Sequence, residues 1–229
     1  MTALILQARL DSTRLPNKAI LPIGGRPLLE RAMRALAAAP ADRYILACPE
    51  DAAAAFAPLA AAVGFEVVVG PKEDVLARYV LAAEYCRADW IIRATGDNPF
   101  VFADAVAPIL AEAEELEADY AAYAGLPYGA GVEVVRAAAL RRAGAEAVLP
   151  AEREHVCPYL YNHPETFLLH RPAAPKAWRG GAMRVTVDTA DDLARAELLF
   201  ARLGGPASGA DTVRAYRDLF GYGREERRP

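Results

Sequence analysis

Cysteine, histidine and tryptophan are scarce in this chain: 3, 3 and 2 residues of 229. Cys48, Cys86 and Cys157 are odd in number and lack paired spacing, so no disulfide framework is indicated. His155, Cys157 and His163 do not have zinc-ligand spacing. Reduced thiols in a cytoplasmic protein are the expectation. Long apolar runs are missing too, and Met1 and Thr2 lead straight into a first strand, so neither a membrane anchor nor a signal peptide is expected. There is no excess of positive charge. The net charge is -4 and the pI about 5.5, which argues against nucleic acid as a partner. The Gly-x-x-x-x-Gly-Lys-Ser/Thr loop and internal repeats are both absent.

What is present is an apolar, alternating chain. Hydrophobic residues make up 54%, enough for a sizeable core in one domain spanning residues 1–229. Short apolar runs at 3–6, 44–47, 67–69 and 90–92 read as strands. Between them lie helical patterns: Leu28 to Leu36 after Pro27, the alanine-rich 51–62, and Val75 to Ala83. Repeated strand–helix units imply a parallel sheet covered on both faces. The second half is less regular. Strands are expected at 119–123, 132–135 and 183–187, with a flexible loop at 125–131. Thr189 to Asp192 has capping-box spacing ahead of a helix to about residue 203, and a final helix follows. The tail from Arg224 to Pro229 is charged and expected to fray.

Three segments carry chemistry. The first strand opens into Gln7-Ala8-Arg9-Leu10-Asp11-Ser12-Thr13-Arg14-Leu15-Pro16-Asn17-Lys18, with three cations and two hydroxyls. Such a loop offers charge-assisted donors to phosphate oxygens, so a nucleotide is the first ligand to consider. Asp97 follows the fourth strand, and Asp188 follows another apolar run much later. Two carboxylates at strand ends can share one Mg2+, whose remaining positions go to water and substrate phosphate. The alternatives are a turn aspartate before proline at Asp97 and a helix-start residue at Asp188. Asp74 and Arg78 have the spacing of a helical ion pair, or of a base or ribose contact. Arg93 either reaches the nucleotide or forms a salt bridge.

Together these segments resemble the cytidylyltransferases that activate sugars, and in particular the spore coat polysaccharide biosynthesis protein F family, relatives of CMP-Kdo synthetase. Leu6 to Lys18 is similar to that family's opening signature, and Gly25 to Arg31, Glu73 to Tyr79 and Arg93 to Pro99 also match. So do Arg153 to Val156, Pro158 to Tyr161 and Arg184 to Leu193. The resemblance implies an α/β three-layer sandwich with a mostly parallel mixed sheet, of the nucleotide-diphosphosugar transferase type. It implies CTP as nucleotide, Mg2+ as metal, a sugar-like acceptor and a homodimer. Leu6, Gln7, Ala8, Arg9, Ser12, Arg14, Lys18, Arg93 and Thr95 would contact the nucleotide. Arg14, Lys18, Asp97 and Asp188 would be catalytic, with Asp97 and Asp188 holding the metal. Residues 125–180 would form an acceptor-binding and dimerisation insertion, with Tyr128, Glu133, Arg153 and His155 as acceptor contacts. Asp11 and Asn17 stand where the family often has glycine. Three rivals share these features: a glycosyltransferase of the same fold, a non-catalytic nucleotide-binding module, and a cytidylyltransferase for a phosphonate, polyol phosphate or other non-sugar acceptor.

Overall fold

The computed structural model describes residues 1–221, so the charged tail lies outside the described residues. The first strand, β1 (Thr2–Gln7), shows how the layers form. Its side chains alternate: Leu4 and Leu6 enter one buried cluster, Ala3 and Ile5 another. Both faces of the strand are therefore covered by apolar residues.

A short hairpin of β2 (Pro22–Ile23) and β3 (Arg26–Pro27) follows, turning at Gly24-Gly25. Next come α1 (Leu28–Leu36), β4 (Arg43–Cys48), α2 (Glu50–Ala61), β5 (Glu66–Val69), α3 (Val75–Cys86) and β6 (Trp90–Thr95). Each lies close to its expected place. Then follow α4 (Val106–Glu115), β7 (Tyr120–Ala121), β8 (Glu133–Arg136), α5 (Ala137–Glu146), α6 (Pro150–His155) and α7 (Pro158–Asn162). Strand β9 (Leu169–His170) was not anticipated, because two residues are too few to show a period. Helices α8 (Ala190–Leu203) and α9 (Gly209–Phe220) complete the described chain.

The seven-stranded sheet has the order β5-β4-β1-β6-β8-β7-β9. Strands β5, β4, β1 and β6 are parallel, β8 runs antiparallel to both β6 and β7, and β7 pairs parallel with β9. This is the mostly parallel mixed sheet of the expected α/β type. Helices α1, α2 and α4 cover one face, where Met33, Phe56 and Ile109 are buried. Helices α3, α5 and α7 cover the other, with Tyr79, Leu140 and Leu160. A third cluster joins α8 and α9 to Ile23, Phe100, Phe102 and Val185.

After β1 the chain moves outward through β4 to β5, then returns to β6 on the other side of β1. In open α/β sheets, the carboxyl ends of the strands at such a reversal bound a crevice. The Met183–Val187 run departs from expectation. It alternates as a strand should, with Met183, Val185 and Val187 buried. Its partners are loops, however, so among the described residues it makes a single bridge, Tyr128 to Arg184, and no ladder. Among the described residues, no helix is long and apolar enough to cross a membrane.

Candidate active site

At the reversal between β1 and β6 lies a cleft of about 670 Å³. It is lined by the loop after β1, by Thr95 to Asn98 after β6, by residues 122–129, and by Thr186 and Asp188. The first and second chemical segments are brought together because β1 and β6 are neighbours, with Gln7 opposite Thr95. Gly96 lies where they touch. A Cβ there would come within 2.8 Å of Leu29 and 2.9 Å of Ala8, so the close approach requires glycine.

The third segment arrives by a different route. The Val187 N–H donates to the Asp97 carbonyl at 2.9 Å, which ties Asp188 to the end of β6. The α8 capping box then fixes the aspartate's position. Thr189 accepts from the Asp192 N–H, while the Asp192 carboxylate accepts from the N–H groups of Asp188 and Thr189. Burial disfavours a charged Asp192. The hydrogen bonds from Asp188, Arg195 and Thr189 outweigh it and hold the carboxyl below its ordinary value of 3.8. Because the folded-state pKa is lowered, the ionised form favours the fold. That stability is complete above about pH 4 and is lost as pH falls through the folded value. Asp192→Asn is expected to flatten this acid limb in thermal melts recorded against pH, and to lower Tm by several degrees at neutral pH.

The converging charges meet at Lys18. Its Nζ donates to Asp188 Oδ1 at 2.7 Å, to Asp97 Oδ2 at 3.0 Å and to the Val187 carbonyl at 3.1 Å. Arg14 lies 3.1 Å from Asp188 Oδ1. Arg184 pairs with the other Asp188 oxygen. A relay orients Asp97: Asn98 donates to Thr95 Oγ1 at 2.7 Å, and the Thr95 hydroxyl donates to Asp97 Oδ1 at 2.6 Å. Two carboxylates thus share one ammonium ion. Two carboxylates with open positions suit Mg2+, which keeps water and substrate phosphate in the rest of its octahedron. The residues present therefore fit the metal implied by the sequence.

On the opposite wall Arg93 and Glu133 face each other across β6 and β8 and form an ion pair. The second Glu133 oxygen accepts from Tyr120 Oη at 2.8 Å. Burial, reinforced by Glu133, pushes the Tyr120 phenol well above its ordinary value. Arg93 forms the salt bridge of its two readings and also lines the cleft. Tyr128 and His155 are exposed and line the cleft, and the Arg184 guanidinium lies 4.8 Å over the Tyr128 ring, which puts Tyr128 beside Asp188. His155 is aimed by a tight turn. Val156 sits at φ 76°, and the Cys157 N–H donates back to the His155 carbonyl at 3.0 Å. That is a γ-turn, a strained conformation for a β-branched residue.

Residues 3–214 match the cytidylyltransferase family. The chain belongs to that family. It is 32% identical to the spore coat polysaccharide biosynthesis protein SpsF of Bacillus subtilis (strain 168), over 87% of this chain and 86% of that one. A solved cytidylyltransferase from Leptospira borgpetersenii serovar Hardjo-bovis superposes with a TM-score of 0.87 at 23% identity, covering 95% of this chain and 94% of the other. A CMP:2-keto-3-deoxy-manno-octonic acid synthetase complexed with CTP gives a TM-score of 0.67 at 18% identity, covering 87% and 98%. The structural likenesses establish a common fold.

Both glycine departures in this cytidylyltransferase have physical accommodations. Asn17 takes a left-handed conformation, φ 55°, at the start of the turn that carries Lys18. Asparagine tolerates that region better than other non-glycine residues. Asp11 turns to Lys72 at 3.2 Å, with Arg9 at 3.9 Å, and forms no contact with Lys18 or Arg14. Gln7, Ala8, Arg9, Ser12, Arg14, Lys18, Arg93, Thr95, Asp97, Tyr128, Glu133, His155 and Asp188 all line the cleft.

Two of the candidate residues lie elsewhere. Leu6 is fully buried in the core, because its place in β1 alternates away from the site. Arg153 is held at the α3–α6 junction, donating to Asp74 Oδ2 at 2.7 Å and to the carbonyls of Gly144 and Ala147. The helical pair of Asp74 with Arg78 does not form. Asp74 caps α3 by accepting from the Ala77 N–H and pairs with Arg153. Arg153→Met is expected to lower Tm by roughly 3–8 °C, since it removes charge-assisted bonds between two helices, and to change the KM for the acceptor less than about threefold. A large rise in acceptor KM at unchanged Tm would return Arg153 to the acceptor. Sequence reasoning overlooked Arg184, Asn98 and Tyr120. For Arg184 a signal existed: in an alternating segment it shares a face with Thr186 and Asp188.

Proposed function

We propose that this chain transfers CMP from CTP to a sugar-like acceptor with release of pyrophosphate, in the synthesis of a surface polysaccharide. The observation that carries this reading is the meeting of Lys18 and Arg14 with Asp97 and Asp188 at one point of the cleft. A glycosyltransferase would need the carboxylates but not a cationic loop built for a triphosphate. The direction of Asp11 toward Lys72 speaks against the non-catalytic module, because its charge is matched outside the Lys18 cluster.

In this reading Lys18, Arg14 and Arg9 bind triphosphate oxygens and balance charge that grows on them as the α-phosphorus is attacked. The acceptor oxygen forms the new P–O bond, the bond to pyrophosphate breaks, and the hydroxyl proton leaves with solvent. Asp97 and Asp188 would hold Mg2+, which supplies Lewis-acid stabilisation of the phosphoryl charge. Asn98 and Thr95 keep Asp97 in orientation. Tyr128, Glu133 and His155 form the acceptor wall. A cytoplasmic location agrees with three free, buried cysteines. A homodimer through residues 125–180 agrees with the exposure of Val148, Leu149 and Leu168.

The test is a pyrophosphate-release panel: four ribonucleoside triphosphates, with and without Mg2+, against sugar acids, sugar phosphates and polyol phosphates. CTP-selective, Mg2+-dependent release with one acceptor class is the expected result. Release that is independent of metal, or turnover of a nucleotide sugar without any triphosphate, would overturn the reading.

A further inference from the structure

Arg78 is fully buried, and the reaction proposed above does not use its charge. Its guanidinium donates to the Pro71 carbonyl at 2.8 Å, to the Lys72 carbonyl at 3.3 Å and to Gln7 Oε1 at 2.9 Å. Among the described residues no carboxylate pairs with it, since its neighbour Asp74 is engaged by Arg153. Burying a cation without a counter-ion is expensive, so the contact it makes deserves a role beyond packing.

That contact fixes the orientation of one amide. Arginine has donors and no acceptor, so Gln7 must turn its oxygen toward Arg78 and its NH2 group away. Gln7 ends β1 and lines the cleft. Its NH2 group makes no hydrogen bond within the described protein, and it is not among the sealed-off polar atoms. A locked donor therefore faces the ligand space.

The rest of the cleft is already divided. Lys18, Arg14, Asp97 and Asp188 gather at one end with Tyr128 beside them under Arg184, and the reading above gives Tyr120, Glu133 and His155 to the acceptor side. The remaining lining, Gln7, Ala8 and Val75 at the start of α3, is the part left for the base of a nucleotide in that reading. Cytosine presents an unprotonated N3, an acceptor. Uracil presents an N3–H there, a donor. A fixed NH2 complements the first and opposes the second.

Resting on the CTP reading above, we propose that Gln7 determines base specificity by donating to cytosine N3, and that Arg78 is the positioning residue that holds its amide in that sense. Leaving buried polar groups mismatched is how sites reject near-isosteric ligands. The test is calorimetric titration with CTP and UTP in Mg2+ without acceptor, so that no second substrate is needed. Wild-type protein is expected to bind CTP at least about tenfold more tightly than UTP. Gln7→Glu keeps the size and the link to Arg78 but offers only acceptors. Its CTP-to-UTP affinity ratio is expected to fall at least tenfold, with UTP gaining relative to CTP. The added negative charge near a triphosphate weakens both nucleotides alike and cancels in the ratio.

Arg78→Lys, still a donor only, is expected to preserve the ratio, and Arg78→Met to bring it toward one, each checked for an intact melt. A ratio unchanged in Gln7→Glu overturns the proposal while leaving the CTP reading in place. Wild-type protein that binds neither CTP nor UTP in Mg2+ would instead overturn the functional reading itself.

Discussion

Asp97→Ala and Asp188→Asn are each expected to reduce turnover by about a thousandfold or more, with the far-UV spectrum unchanged. The two carboxylates come from segments far apart in sequence and meet on one ammonium ion. A divalent ion held there would lose half of its protein charge in either variant. The two should differ in stability. Asp188 is only 10% exposed and is surrounded by Lys18, Arg14 and Arg184. Neutralising it leaves three cations facing one another, so its melting temperature should drop by several degrees. Asp97 is 29% exposed and meets one cation and the Thr95 hydroxyl, so its loss should cost less stability. Retention of more than a tenth of the turnover by both variants would sink the assignment of this cluster to catalysis.

Lys18→Met should move two measurements in opposite directions. Lys18 touches both carboxylates, and its side chain is 16% exposed. With a triphosphate bound, its ammonium is free to serve phosphate oxygens, and its removal should lower kcat about a hundredfold to a thousandfold. Without nucleotide, the same ammonium competes with any divalent ion for Asp97 and Asp188. Titration of the nucleotide-free protein with Mn2+ should therefore show tighter binding in Lys18→Met than in wild type. Arg14, 63% exposed and paired among the described residues with Asp188 alone, should show a smaller loss of turnover when replaced by methionine. A Lys18→Met protein with weaker Mn2+ binding would mean that the lysine supports the carboxylates rather than competing for them.

Much of this was legible in the chain because the relevant signals are local. The helix start at Thr189-Ala190-Asp191-Asp192 is a matter of side chains reaching their own backbone, and both halves of the capping box form. The period of two in β1 and the apolar stripe of α1 follow from backbone geometry alone. The loop from Arg9 to Lys18 declared its chemistry through residue types that suit phosphate. Where neighbours decide, the sequence was mute or misleading. Asp74 and Arg78 have ion-pair spacing, yet Arg153 approaches from α6 and takes the carboxylate. Met183 to Val187 has strand periodicity, yet among the described residues no strand lies alongside to make a ladder.

The amino-acid sequence alone determined the layered α/β architecture, the phosphate-seeking loop and the two aspartates at the ends of apolar runs. These depend on periodicity and on functional groups within a few residues of each other. Tertiary structure decided which charges meet. It put Lys18 between Asp97 and Asp188, gave Arg93 to Glu133, and turned the Gln7 amide with a buried arginine. Such pairings depend on distances of a few ångströms between segments that the sheet order, not the chain order, makes neighbours.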